Sequence, residues 1–365
     1  MRTRSSLATA ERVRGAVLAG AVGDAIGSQV EFATTDDIRE RYGCGGLTGM
    51  ADLVAPAGAI GDETQLTVFT LDALIRGYQQ WEDEARCPRI DLALASYWRW
   101  LHTQGEVPMG IPLDAYFDGW LVHEPVLRVQ RNPSFWCVTA LASGARGAPD
   151  HPVNLSSRVG PLGRVGVLGL LLDDPLHVAR DNAALTHGHP DTLWSAGALA
   201  LIVRSVADGE QIADAVEETV ATLSPAPEAR TVRAALRDAV DLAGRGPATP
   251  ERLAELGHGW DAPEALAYAV CCALAASDGV EALQSAVNHS GPSDTVASAC
   301  GHIVGAGTGA DWLPESWVAA LDAGSLLHTV IDDAITRCVD GLPIDRKRYP
   351  AHRDIDVVKT TDPTL

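Results

Sequence analysis

The residues best equipped for chemistry lie in two short, distant stretches. The first is Gly58-Ala59-Ile60-Gly61-Asp62-Glu63-Thr64-Gln65, where two adjacent carboxylates follow a glycine-rich approach. The second is His289-Ser290-Gly291-Pro292-Ser293-Asp294-Thr295. Each precedes a run with helical character: Leu66, Phe69, Ala73 and Leu74 recur at helical spacing, and Val296 to Val304 is apolar or small throughout. Acids in a first helical turn complement the helix dipole and cap free amides, which is a purely structural role. Two such starts brought together offer only hard oxygen donors, the set suited to a Mg²⁺-type cation. Both readings stand on the residues alone.

The elements that must position these groups are legible as helices. Glu11 to Ile26 reads as a helix with Val13, Val17, Leu18 and Val22 facing a core, and Gly15, Gly20, Gly23 and Gly27 suit close helix packing. Residues 33–57 read as loop. Ile90 to Trp100 reads as a helix, followed by a Pro- and Gly-punctuated stretch over roughly 104–134. Thr192 to Val206 is helical in pattern, and Glu264 to Ala276 is apolar nearly all round, which predicts a central helix. Strand signals are scarce and no repeat is evident. The expectation is an all-α, single compact multi-helix domain over 1–340, with a polar C-terminal tail over 341–365.

Composition narrows the function classes. The chain has 365 residues, 46% hydrophobic and 21% charged, an ordinary globular balance. Forty-eight acids against 28 Lys plus Arg give a net charge of −20, which disfavours a general nucleic-acid surface or an anionic-membrane surface. The seven cysteines are scattered, odd in number and without a CxxC pair, as in reduced thiols of a cytoplasmic protein. Arg2, Arg4, Arg12 and Arg14 precede the apolar Ala16–Val22, but Asp24 interrupts that segment, so no export signal is read there.

Three further features can hold chemistry or merely structure. Glu31, flanked by Val30 and Phe32, needs a partner, a metal or exposure. The segment Asn154-Leu155-Ser156-Ser157-Arg158-Val159-Gly160-Pro161-Leu162-Gly163-Arg164 reads either as a plain turn or as a loop entering a helix, where free amides and Arg158 or Arg164 hold a phosphate. His187 and His189, in Thr186-His187-Gly188-His189-Pro190, lack further zinc-spaced partners and read as hydrogen-bonding groups at a helix entrance.

Taken in order, these motifs resemble the ADP-ribosylglycohydrolase family (DraG-like, or ARH-type, ADP-ribosylhydrolases). The resemblance runs over roughly residues 12–335. It rests on Gly20, Gly23, Asp24, Ala25 and Gly27 with Glu31, on Asp62-Glu63-Thr64-Gln65, on the loop at 154–164, on Thr186–Pro190 and on His289–Thr295. It implies an all-helical fold and hydrolysis of a glycosidic bond to ADP-ribose at a Mg²⁺ site of one or two ions, Mn²⁺ being an alternative. By the same resemblance Asp62, Glu63, Asp294 and Thr295 would hold metal, with Glu31, Asp62 and Glu63 catalytic. Asn154, Ser156, Ser157, Arg158, Gly160, Arg164, His187 and His189 would bind substrate. The implied partners are an ADP-ribose-containing or nucleotide-derived small molecule, or an ADP-ribosylated protein.

The departures from that pattern are chemical. Glu63 stands where the family has aspartate, Gly61 where it has threonine, Pro292 where it has aspartate, and Ser157-Arg158-Val159-Gly160 replaces a glycine-rich loop. Gly61 offers no side-chain oxygen and Pro292 no carboxylate. These losses predict weaker or single-ion metal binding and poor turnover of ordinary ADP-ribosyl substrates. They also keep open an inactive or repurposed member that binds ADP-ribose, a nucleotide or a protein partner, and a specialised N-glycosidase of a small metabolite.

Overall fold

The computed structural model describes residues 6–53, 58–84 and 89–351. Its elements are helices: α1 (Ser6–Gly27), α2 (Thr35–Tyr42), α3 (Asp62–Glu84), α4 (Arg89–Thr103), α5 (Phe135–Ala142), α6 (Leu162–Leu171), α7 (Pro175–Ala184) and α8 (Pro190–Ala207) form the first half. The second half holds α9 (Ile212–Thr222), α10 (Arg230–Ala243), α11 (Pro250–Leu253), α12 (Ala262–Ala275), α13 (Gly279–Val287), α14 (Ser293–Thr308), α15 (Glu315–Ala320) and α16 (Gly324–Ala334). Among the described residues the only β pairings are two isolated bridges, Ala148 with His151 and Arg158 with Asp261. None of the described helices is long and apolar enough to cross a membrane.

The molecule is built around α14. Fourteen of its sixteen residues are buried, including both polar groups of the Asp294-Thr295 start, so it is more enclosed than α12, where ten of fourteen are buried. Its closest neighbour is α1, and the small residues of both explain the approach. A Cβ added at Gly305 would strike the Gly15 backbone, and one at Gly27 would strike Ser293 and Asp294. Glycine lets two helix backbones touch where any side chain would hold them apart. That contact sets the end of α1 directly beside the start of α14.

Helix α3 joins this pair through a cap supplied from elsewhere in the chain. Asp24, fully buried near the end of α1, accepts hydrogen bonds from the Gly61 amide (2.7 Å), the Thr64 amide (3.1 Å) and the Thr64 hydroxyl. It does for α3 what a local N-cap side chain does for other helices. Further along α3, Asp72 pairs with Arg76 (2.9 Å) and Arg99 of α4 (3.4 Å), and Ser96 donates to it at 2.6 Å.

Two boundaries differ from the pattern-based expectation. Residues 33–57 hold α2, because Thr34 and Asp37 close a capping box: the Asp37 amide donates to Thr34 Oγ1 (3.1 Å) and the Thr34 amide to Asp37 Oδ2 (2.9 Å). The segment after 340 packs back on the body up to residue 351: Tyr349 is buried and donates to Asp333 at 2.9 Å, while Arg76 donates to the Pro350 carbonyl at 2.7 Å. Residues 352–365, and Arg2 and Arg4 of the N-terminal segment, lie outside the described residues.

Candidate active site

Three chain ends meet where α1, α3 and α14 come together: the turn after α1 with Glu31, the first turn of α3 with Asp62 and Glu63, and the first turn of α14 with Asp294 and Thr295. Each buried carboxylate is steered through one oxygen. Asp62 Oδ2 accepts the Ser134 amide (3.1 Å), Asp294 Oδ1 accepts the Thr295 amide (2.7 Å), and Glu63 Oε1 accepts the Thr295 hydroxyl (2.5 Å). Asp24 Oδ1 and Glu63 Oε2 are buried with no hydrogen-bond partner. A buried carboxylate oxygen left without a donor is costly unless a proton or a cation meets it.

The electrostatics carry the same demand. Burial raises all five carboxyls above their ordinary range. Glu31 goes to about 9, with the charges of Asp294, Asp62 and Asp24 adding to burial. Asp24 goes to about 7 and Asp294 to about 6, each held down partly by hydrogen bonds. Asp62 is raised by burial and by Asp294, and Glu63 by burial, Asp62 and Asp294. The buried Arg164 guanidinium interacts with Glu63, but burial and the mutual repulsion of the acids outweigh it. Like charges gathered in a low-dielectric cleft favour either bound protons or a bound cation.

Oxygen donors, an excess of negative charge and two orphaned buried oxygens suit a hard divalent ion in donor type. The side-chain oxygens are fewer than a pair of ions would want. A side chain at Gly61 would run into the Asp24 carboxylate, and Pro292 begins α14 with no oxygen beyond its carbonyl. Thr295 donates its hydroxyl proton to Glu63, and its oxygen keeps its lone pairs. Among the described residues no group of three or more His, Cys, Asp or Glu is arranged to hold a metal ion as it stands.

The 154–164 segment lies against α8 and the start of α12. Asn154 accepts the Ser156 amide (3.0 Å) and donates to the Thr186 carbonyl (2.8 Å), which fixes the loop's entry. Ser157 donates to Asp261 (2.7 Å), and the half-exposed Arg158 stands 3.7 Å from the same carboxylate. Gly160 faces both His187 and the Cys137 thiol; a Cβ there would come within 3.1 Å of each.

Arg164 is committed within the body of the protein. It is fully buried, donating to Asn182 Oδ1 (3.0 Å) and Thr186 Oγ1 (2.8 Å) and stacking 4.8 Å over Tyr97. His187 pairs through Nδ1 with Thr186 Oγ1 (3.0 Å), and burial, then Arg164, lowers its pKa to about 3. His189 caps α8 by accepting the Asp191 amide at 3.2 Å.

Two groups of this site carry no clear sequence signal of their role. Ser134 acts through its backbone amide, which no side-chain pattern reveals. Asp24 has one available clue, an acid within an apolar helix, which must find donors when buried. Aromatic groups rim the area: Phe32, just after Glu31, stacks on Trp260 at 5.7 Å, and the exposed Phe135 meets Trp136 edge-on at 5.4 Å, directly after Ser134.

No curated protein sequence matches the chain. A solved structure described as an ADP-ribosylglycohydrolase-related protein complex shares the fold, with a TM-score of 0.62 and 24% identity, over 91% of this chain and 99% of that one. The family profile described as ADP-ribosylglycohydrolase matches residues 5–343, which takes in the three meeting chain ends and the 154–164 loop. The chain therefore belongs to the ADP-ribosylglycohydrolase family.

Proposed function

We propose that this protein hydrolyses the glycosidic bond joining ADP-ribose, or a nucleotide-derived relative, to its acceptor, with one divalent cation, Mg²⁺ or Mn²⁺, at the acidic cleft. The observation that carries this reading is the gathering of five carboxyls, Asp24, Glu31, Asp62, Glu63 and Asp294, with Asp24 Oδ1 and Glu63 Oε2 buried and without a donor. Asp62 and Asp294, each with one oxygen steered by a backbone amide, would hold the ion. Once bound, the ion supplies positive charge that orients the ribose hydroxyls and lowers the cost of gathering the carboxylates.

The chain's own residues do the rest. Glu31, the least enclosed of the five, is the acid placed to take a proton from the attacking water once it is ionised. The bond from the anomeric carbon to the acceptor breaks, its electron pair leaving with the acceptor, which is protonated from solvent. The oxygen of water bonds to the anomeric carbon, and nearby carboxylate charge eases the oxocarbenium-like state between. Arg158, half-exposed and only loosely paired with Asp261, is the guanidinium available for a diphosphate. The buried Arg164 instead holds the loop's underside.

A second reading, a protein that binds ADP-ribose without cleaving it, is favoured by one contact: Thr295 holds one oxygen of Glu63 with its hydroxyl. Calorimetric titration with Mg²⁺ and Mn²⁺, paired with release of ADP-ribose from an ADP-ribosylated peptide, separates the two. Saturable one-ion binding with slow turnover supports hydrolysis. Tight ADP-ribose binding with neither cation uptake nor product supports the binder.

A further inference from the structure

A second cavity lies away from the acidic cleft, alongside the middle turns of α3. It encloses about 320 Å³ between α3, α4, α6 and α7. Leu74 is twelve residues along α3 from Asp62, about 18 Å at helical rise, so the two sites do not overlap. Leu74, Ile90, Ala93, Leu168 and Val178 contribute apolar surface to its wall.

The polar groups of the wall divide into two kinds. The oxygens are already committed: Thr70 bonds Tyr97 at 2.7 Å, Tyr78 donates to the Leu171 carbonyl at 2.7 Å, and Asn182 Oδ1 accepts from Tyr97 at 2.9 Å and from Arg164 at 3.0 Å. Asp173 is different. It lines the cavity, is exposed, and no described hydrogen bond or ion pair occupies its carboxylate. The neighbouring Asp174 faces α7 instead, where it caps the helix and pairs with His177.

We propose that this cavity is a binding site for a compact organic amine, an apolar body of about two rings with one ammonium group at Asp173. Three observations select that chemistry. A cavity of about 150 Å³ holds benzene, so roughly twice that volume accepts a two-ring body. The wall offers the body apolar surface; the Thr70 and Tyr78 hydroxyls and the Asn182 oxygen are already bonded, and the Asn182 amide nitrogen is a donor, so an ammonium finds no free acceptor there. The unpaired carboxylate lies at the cavity's edge on a chain of net charge −20, which favours cations and repels anions.

The test uses tryptamine and indole as probes of the full chain, with binding followed by calorimetry and by nuclear Overhauser contacts. Tryptamine is expected to bind saturably and to raise the Tm, with ring protons contacting the Leu168 and Val178 methyl groups. Asp173→Asn, an exposed position that leaves folding intact, is expected to weaken tryptamine several-fold. Ala93→Phe fills the cavity and is expected to abolish the contacts, with circular dichroism confirming a folded chain. Absence of tryptamine binding, binding indifferent to Asp173→Asn, or indole binding as tightly as tryptamine overturns the proposal.

Discussion

At the scale of single residues, the acidic cleft turns on who occupies the space beside Gly61. Asp24 stands where a Gly61 side chain would point, and it uses that position to cap α3. Gly61→Thr is therefore expected to destabilise the chain by about 1–3 kcal/mol, as overpacking does, rather than to rebuild a metal ligand. Urea midpoints of the variant and the native chain check this. Pro292→Asp is the opposite case, since it adds a carboxylate at the start of α14 beside an acid-favouring helix terminus. It is expected to tighten divalent-ion binding, measured by calorimetry. Glu31→Gln removes the group that takes water's proton, so turnover should drop by roughly 10²–10⁴-fold. Because it also removes one of several crowded acids, the metal-free Tm should rise. A Tm that falls would show Glu31 to be part of the structural frame.

At the scale of elements, the contact between α1 and α14 decides whether the site exists. The Gly15–Gly305 approach leaves no room for a methyl group, because the obstacle is backbone rather than a side chain that can swing away. Gly305→Ala is expected to cost about 1–3 kcal/mol by forcing the helices apart. Gly45→Ala, at a position with open space around it, serves as the control and should change little. Paired denaturation curves of the two variants give the comparison. If Gly305→Ala folds, the shift of α14 should also weaken cation binding, since Asp294 rides on that helix.

At the scale of the whole molecule, buried titratable groups pull stability in opposite directions with pH. His302 of α14 is packed between Gly20 of α1 and Gly166 of α6, and burial lowers its pKa to about 4. The unfolded chain accepts a proton near pH 6.5 that the folded chain refuses. Its contribution is present above that value and is lost as pH falls towards 4, by roughly 3 kcal/mol in full. Asp24 has the reverse sign. Folded, it keeps its proton up to about pH 7, so its contribution is present below pH 4 and lost as pH rises to 7. His302→Asn should therefore flatten the acid side of the native stability profile between pH 6.5 and 4 while leaving the neutral-to-alkaline side unchanged. Thermal denaturation across that window reads it directly.

The all-helical fold is legible in the sequence because helical periodicity and capping chemistry are local: the Leu66, Phe69, Ala73, Leu74 spacing becomes α3, and the apolar run after Asp294 becomes α14. The small residues of Gly15, Gly23 and Gly27 likewise announce close packing, and the structure shows them against α14. What the sequence by itself could not settle is which partner each polar group finds. Arg158 and Arg164 are equivalent as phosphate candidates until packing sends one to solvent and the other under Tyr97 and Asn182. Asp24 gains its capping role from a helix that starts 38 residues later, Asp62 being reached only through the folded chain. Hydrogen-bond partners at such separations are chosen by tertiary contact, because a buried carboxylate must take whatever donors the fold brings to it.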